Sequence, residues 1–130
     1  MIRFGINRLD MRGVREFANS AQRAEELGWD IGLLPCNPLS VRDPYVSLAF
    51  AASQTQHMAL GTLLDTPVLR HPSVLAGSIA TVASLAPGRI HMGLGTGDTA
   101  VRFNGLQPAT VRQLETAAAT VKRLLNGELL

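Results

Sequence analysis

The residues best suited to ligand chemistry stand directly after short apolar segments of the chain. The glycine-rich stretch Gly93-Leu-Gly-Thr-Gly-Asp98 follows one such segment, and Asp65 and Thr66 follow another. Glycine has no Cβ, so its backbone can approach a flat or anionic ligand closely. The same glycines also suit a tight turn, and Asp65 suits a turn in which its carboxylate accepts a nearby backbone N–H. The residues alone leave both interpretations open.

Cys36 and Asn37 follow a third apolar segment and could face the same ligand, although a buried thiol beside a turn asparagine fits equally well. His71 precedes a proline, and we expect it to accept backbone N–H groups at a helix start. The histidines and the single cysteine are not spaced as metal ligands, so we expect no metal site. The sequence contains no nucleophile elbow, no P-loop and no G-x-G-x-x-G dinucleotide fingerprint.

Four repeated units are expected to position these residues, each with an apolar strand, a turn, an amphipathic helix and a stop signal. Strands recur roughly every 30 residues with helices between them, which predicts parallel strands joined by right-handed crossovers. The fold class is therefore α/β, either a small open sheet or half of an eight-stranded barrel. The predicted strands are 2–6, 31–34, 58–64 and 90–94, and the predicted helices are 14–27, 44–55, 72–86 and 110–125.

Local signals mark the helix ends. Asp43 is predicted to cap the second helix, Gly28 to stop the first, and Thr110 with Gln113 to form a capping box. The stretch 96–108 is predicted to be a long loop. The predicted buried stripe of the last helix is Val111, Leu114, Ala118, Val121 and Leu125.

The composition restricts the class of protein. The 130 residues are 46% hydrophobic and 17% charged, which predicts one folded domain over residues 1–130. Aromatic residues are only 5% and the arginines are scattered, so nucleic acid is not an expected partner. No apolar run reaches the roughly 18 residues that cross a bilayer, and the first residues do not resemble a signal peptide. With a single cysteine, these features lead us to expect a cytoplasmic protein.

Several motifs in a fixed order carry a family resemblance. They are Gly61-Thr-Leu-Leu-Asp-Thr-Pro67, Arg70-His-Pro72, Ala80-Thr-Val-Ala-Ser-Leu85, Gly88-Arg-Ile90 and Gly93-Leu-Gly-Thr-Gly-Asp98. Together they resemble the bacterial luciferase-like superfamily, which contains FMN-dependent monooxygenases and enzymes that use the deazaflavin F420. Arg42-Asp-Pro-Tyr45 and Gly95-Thr-Gly-Asp98 look closest to the methylenetetrahydromethanopterin-reductase-like branch. The resemblance implies a parallel (βα)4 unit, the N-terminal half of a TIM barrel.

The resemblance also implies a chemistry and a site. The ring of FMN or coenzyme F420 would lie at the carboxyl ends of the strands and would transfer a hydride, or activate oxygen, for a small-molecule substrate. A cis peptide bond without proline would map to Leu63-Leu64, Asp65 and Thr66 would lie beside the ring, and Gly95 and Gly97 would line the pocket. The predicted cofactor-binding residues are thus Leu63, Leu64, Asp65, Thr66, Gly95, Gly97, Cys36 and Asn37.

The chain departs from the family pattern after the second strand. Many F420-using members carry Asp-His where this chain has Cys36-Asn37, and neither residue can act as that histidine would near neutral pH. The family holds the cofactor phosphate mainly with later strands and loops, so four units are expected to shape a ring site without that anchor.

Four units also leave two bare strand edges and an exposed apolar inner face. We therefore expect a homo-oligomer, or a partner that supplies the second half of the barrel. The alternative is a non-catalytic half-barrel that acts as a binding or assembly module. A third hypothesis is an unrelated nucleotide-binding protein with an open sheet.

Overall fold

Four parallel strands alternate with helices in the computed structural model, which describes residues 1–128. The strand order follows the chain, β1-β2-β3-β4, and each neighbouring pair is parallel, which confirms the predicted α/β class. Residues 129 and 130 of the predicted domain lie outside the described residues. The elements are β1 (Gly5–Asn7), α1 (Val14–Glu26), β2 (Ile31–Leu34), α2 (Pro44–Gln54), β3 (Ala59–Asp65), α3 (Pro72–Leu85), β4 (Ile90–Leu94), α4 (Thr99–Phe103) and α5 (Val111–Leu125).

The helix ends follow the local signals of the sequence. The Asp43 carboxylate accepts the first free backbone N–H groups of α2, and Pro44 begins the helix. The Thr110 hydroxyl accepts the Gln113 N–H at 3.2 Å, and the Gln113 side chain accepts the Thr110 N–H at 2.8 Å, which confirms the capping box. Gly28 ends the first helical unit with a φ of 87°. Along residues 1–128, no helix combines the length and apolar character needed to cross a bilayer.

Two predictions in the last third of the chain are wrong in part. The predicted loop contains the short helix α4. Of the predicted stripe of α5, Val121 is buried and Leu114 half-buried, but Val111, Ala118 and Leu125 are exposed. Ala117 and half-buried Leu124 complete the buried stripe. The reason is that α5 packs chiefly against α3, so only a narrow stripe is covered. The first strand is also shorter than predicted and begins at Gly5 rather than at Ile2.

The two faces of the sheet differ in what covers them. Leu60 and its register partner Ile90 point to the helices, where Leu60 is fully buried in the core. The opposite, inner face carries the alternate residues and is more open. Its rows are Gly5, Ile31 and Ala59, then Asn7, Leu33, Gly61 and His91.

Strand β3 contains a bulge near its carboxyl end. Thr62 is paired with Met92 and Asp65 with Leu94, so three steps along β3 oppose two along β4. The extra residue inverts the alternation of side chains. Asp65 therefore lies on the helix side of the sheet, although strict alternation from Thr62 would turn it inward.

Two charged side chains bind backbone groups at the amino end of the sheet. Arg89, from the Gly88-Arg-Ile90 motif, donates four hydrogen bonds to the end of α2 and the residues after it, at 2.8–3.1 Å. Glu25 is 9% exposed and accepts the backbone N–H groups of residues 56, 57 and 58. Both side chains satisfy backbone groups far from the carboxyl ends, where the predicted site lies.

Candidate functional site

A recess of about 350 Å³ lies where the carboxyl ends of all four strands meet. Its volume falls within the range of about 300–1,000 Å³ that is usual for small-molecule sites. The segment after each strand contributes to its lining, and α4 closes one side. The residues that line it are Arg8, Met11, Pro35, Cys36, Asn37, Ser40, Leu64, Thr66, Gly97, Asp98, Thr99 and Ala100.

The structure brings most of the predicted cofactor-binding residues to this recess. Five of the eight line it: Leu64, Thr66, Gly97, Cys36 and Asn37. Gly95 packs against Leu64, because a Cβ at Gly95 would lie 2.7 Å from Leu64 Cδ1. The Leu63-Leu64 peptide bond is cis, at the position that the resemblance implies. Leu63 is 42% exposed but does not line the recess.

Asp65 is another predicted site residue that does not line the recess. The bulge in β3 turns its side chain to the helix side of the sheet, where it lines a different cavity. The resemblance placed it beside the ring, but the recess is bordered by its neighbours Leu64 and Thr66 instead. Binding of a ring by any of these residues stays a prediction.

The wall of the recess is tied together by short polar contacts between β3 and β4. The backbone N–H of Gly95 donates to the carbonyl of Asp65 at 2.9 Å. The Thr66 hydroxyl donates to the carbonyl of Thr96 at 3.2 Å. Gly97 has a φ of 84°, a left-handed conformation that side chains disfavour, and a Cβ there would lie 2.4 Å from Val101 Cγ2. The wall is therefore made largely of closely packed backbone.

The two residues after β2 offer little acid–base chemistry. Cys36 is 7% exposed, and burial together with the nearby Asp65 carboxylate raises the pKa of its thiol. The thiol is therefore neutral near pH 7 and is a poor nucleophile. The Asn37 side chain accepts the backbone N–H of Leu39 at 3.1 Å. These side chains can shape the recess and accept or donate hydrogen bonds, but they do not replace a histidine.

The histidines have structural positions. His71 Nδ1 accepts the Ser73 N–H at 3.3 Å at the start of α3, as predicted. His57 Nδ1 lies 3.6 Å from Glu25 Oε1, and His91 is exposed on the inner face of the sheet. Residues 1–128 contain no group of three His, Cys, Asp or Glu side chains arranged to hold a metal ion.

A second cavity, of about 540 Å³, lies between the starts of α2 and α3 and shares Cys36 with the recess. Asp65 and Arg70 line it, and Tyr45 lies against both. Sequence reasoning missed the roles of Tyr45 and Arg70, although the motifs Arg42-Asp-Pro-Tyr45 and Arg70-His-Pro72 contained them. A larger cavity of about 910 Å³ between α3 and α5 contains none of the predicted site residues.

Asp65 is the centre of a buried polar network. Its Oδ2 accepts a hydrogen bond from Tyr45 Oη at 2.8 Å, and its Oδ1 accepts the Thr66 N–H at 2.7 Å. Arg70 Nε lies 3.8 Å from Oδ2, but the same guanidinium makes its closest pair with Asp43. Burial raises the pKa of the Asp65 carboxyl in spite of these partners, and burial and Asp65 raise the pKa of Tyr45.

Comparison with known proteins identifies relatives over nearly the whole chain. The model of the luciferase-like monooxygenase family matches residues 2–129. The 5,10-methylenetetrahydromethanopterin reductase of Methanolobus tindarius is 31% identical over 130 residues, which cover 96% of this chain and 39% of the reductase. An F420-dependent glucose-6-phosphate dehydrogenase of Nakamurella multipartita is 36% identical over 111 residues, which cover 75% of this chain and 32% of that enzyme.

The fold has a close match among solved structures. The coenzyme F420 dependent tetrahydromethanopterin reductase from Methanopyrus kandleri superposes with a TM-score of 0.83 and 26% identity, over 95% of this chain and 39% of the reductase chain. The present chain thus spans 32–39% of the length of these relatives. The order of motifs, the parallel (βα)4 sheet and the family match agree, and the chain belongs to the luciferase-like monooxygenase family.

Proposed function

We propose that this chain provides the N-terminal half of the active site of a flavin- or F420-dependent oxidoreductase. The ring of FMN or F420 lies in the recess at the strand ends, and a small organic substrate reacts against it. The observation that carries the proposal is the recess itself, which brings together Leu64, Thr66, Gly97, Cys36 and Asn37 from three strand ends. Its support is the family membership and the F420 dependence stated in the names of two relatives.

The recess offers a flat aliphatic surface to one face of a ring, and its charged lining residues, Arg8 and Asp98, are exposed to solvent. Leu64 is 41% exposed and offers an aliphatic surface, and Gly95 lets that side chain lie close to β4. Gly97 lets the segment after β4 pack closely against Val101 and Thr66, because it has no side chain. The neutral Cys36 thiol adds no charge to the wall. The lining can thus bind and orient a ring and exclude water from one of its faces.

A bound flavin or deazaflavin supplies hydride transfer or, for reduced FMN, oxygen activation. The chain's own part is to position that ring. Cys36 and Asn37 hold no proton that titrates near neutral pH, so these two residues orient the ring and its substrate rather than move protons. The phosphate of the cofactor is expected to depend on residues outside these four units.

Titration with FMN and with F420, followed by absorbance and fluorescence, tests the proposal. Saturable binding of either compound with a perturbed ring spectrum is the expected result. The variant Ala100→Trp fills the recess and is expected to weaken binding at least about tenfold, equivalent to about 1.4 kcal/mol. Ala119→Trp, on the exposed side of α5, is the matched control and should bind like the wild type.

Two results would contradict the proposal. The first is no binding of either compound by the wild type, which would favour the non-catalytic module. The second is unchanged binding by Ala100→Trp, which would show that the ring lies elsewhere.

A further inference from the structure

A buried carboxylate stands directly behind the wall of the recess. Asp65 ends β3 between two recess residues, Leu64 and Thr66, while its own side chain is 2% exposed on the helix side of the sheet. One oxygen accepts the Tyr45 hydroxyl and the other accepts the Thr66 N–H. The residue therefore joins the recess wall to the first turn of α2.

The charge around Asp65 is not fully compensated. The Arg70 guanidinium lies over the Tyr45 ring, 4.9 Å from its centroid, and pairs more closely with Asp43 than with Asp65. One cation thus serves two carboxylates. Asp65 has the more buried carboxylate of the two and the longer contact with the cation.

Stability does not explain an ionised carboxylate at this position. Burial raises the pKa of Asp65 in the folded protein. A group with a raised folded pKa contributes stability at low pH, and this contribution is lost as the pH rises through the folded pKa. The ionised form is therefore the less favourable one for folding, and a neutral side chain of the same shape would avoid that cost.

We propose that Asp65 is a positioning residue for the ring site, whose ionised carboxylate fixes the end of β3 so that Leu64 and Thr66 form one wall of the recess. Both oxygens of the ionised group accept hydrogen bonds, one from α2 and one from the wall itself. The carbonyl of the same residue accepts the Gly95 N–H, so Asp65 also holds the wall against β4. That the recess binds a ring rests on the proposed function.

The test compares Asp65→Asn with Asp30→Asn. Asp30 is a matched control, because its carboxylate also accepts a backbone N–H, that of Phe4 at 2.7 Å, but at the amino end of the sheet. Hydrogen exchange at the Thr66 and Gly95 amides is measured in the ligand-free proteins. Affinity for riboflavin, which has the ring without the phosphate, is measured from mildly acidic to neutral pH.

The expected result for Asp65→Asn has three parts. Exchange at the Thr66 and Gly95 amides rises about tenfold, and riboflavin affinity falls about tenfold, the size expected for loss of one hydrogen bond to a charged group. The melting temperature at neutral pH is kept or raised. Wild-type affinity falls as the pH is lowered, because protonation removes an acceptor, whereas the affinity of Asp65→Asn changes little with pH.

Other ionisable groups face Asp65 and must be separated from it in the pH series. They are Tyr45 and Asp43 at the start of α2, Arg70 and His71 before α3, and Cys36 and Arg42 after β2. Histidine is the side-chain type among these that ordinarily titrates in this range. The pH dependence of binding should therefore persist in His71→Gln.

The inference would be overturned if Asp65→Asn kept the wild-type exchange rates at the Thr66 and Gly95 amides and the wild-type affinity for riboflavin. Tyr45→Phe replaces this variant if it does not fold, since it removes only the hydroxyl donor to Asp65. A smaller rise in exchange at Thr66 and Gly95 and a smaller fall in riboflavin affinity are then expected, and the absence of both would likewise overturn the inference. If the wild type does not bind riboflavin, the titrations with FMN and F420 decide the proposed function, and exchange at Thr66 and Gly95 alone decides whether Asp65 positions the strand end.

Discussion

Replacing Gly97 with alanine should destabilise the protein more than the same change at another left-handed glycine. Gly97 has a φ of 84°, and a Cβ there would lie 2.4 Å from Val101 Cγ2 and 3.0 Å from Thr66 Oγ1. A side chain in the left-handed region costs about 1–2 kcal/mol, and overpacking against buried Val101 adds about 1–3 kcal/mol. The expected loss in the free energy of unfolding is therefore about 2–5 kcal/mol.

Gly105 provides the control for this experiment. Its φ is 73°, and a Cβ there would have no heavy atom within 4 Å, so Gly105→Ala should lose only about 1–2 kcal/mol. Urea unfolding of both variants gives the difference, which measures the contact at the recess wall. Ring affinity should fall for Gly97→Ala and stay unchanged for Gly105→Ala. Equal losses of stability in the two variants would refute the assignment of Gly97 to a tightly packed wall.

Two further predictions concern the rest of the chain. Burial opposes ionisation of Glu25, but three backbone N–H groups lower the pKa of its carboxyl below the ordinary 4.5. The contribution of Glu25 to the free energy of unfolding is therefore present above pH 4.5 and is lost as the pH falls through the folded pKa. Glu25→Gln should therefore lower the free energy of unfolding at neutral pH by about 1–3 kcal/mol. The free energy of unfolding should also fall less in this variant than in the wild type when the pH is lowered, as urea titrations at several pH values will show. The edges of β1 and β4 are open, and we propose that they are covered by self-association or by a partner with a complementary half-barrel. If the chain self-associates, light scattering at micromolar concentration should give a mass above the 13.9 kDa of one chain. A stable monomer would contradict self-association.

The features that the sequence predicted well depend on residues close together in the chain. Asp43, His71 and Thr110 cap their helices through atoms within one turn, so a local pattern is sufficient to find them. The exposed face of α5 could not be found in this way. Which of its apolar residues is buried depends on α3, a neighbour that lies far away in sequence, and that contact covers Ala117 and Val121 but not Ala118.

The sequence was sufficient to place the candidate site at the carboxyl ends of the strands, but not to predict which side chains point into it. Parallel strands bring their carboxyl ends to one edge, which places Cys36, Leu64 and Gly97 together from topology alone. The side on which Asp65 lies depends on the bulge in β3, and a bulge is set by the pairing with β4 rather than by the order of residues in β3.

The same bulge separates two environments that would be incompatible on one side of the sheet. Leu64 and Thr66 face the recess, whose charged lining residues, Arg8 and Asp98, are exposed to solvent, while Asp65 between them faces Tyr45 and Arg70. A carboxylate at the place of Leu64 or Thr66, in the middle of this wall, would lose much of its hydration when a ring bound, at a cost of several kcal/mol by the usual effective penalty for a buried ion. On the helix side its partners are already in place before any ligand arrives. The wall can therefore be held by a charge without presenting that charge to the ring.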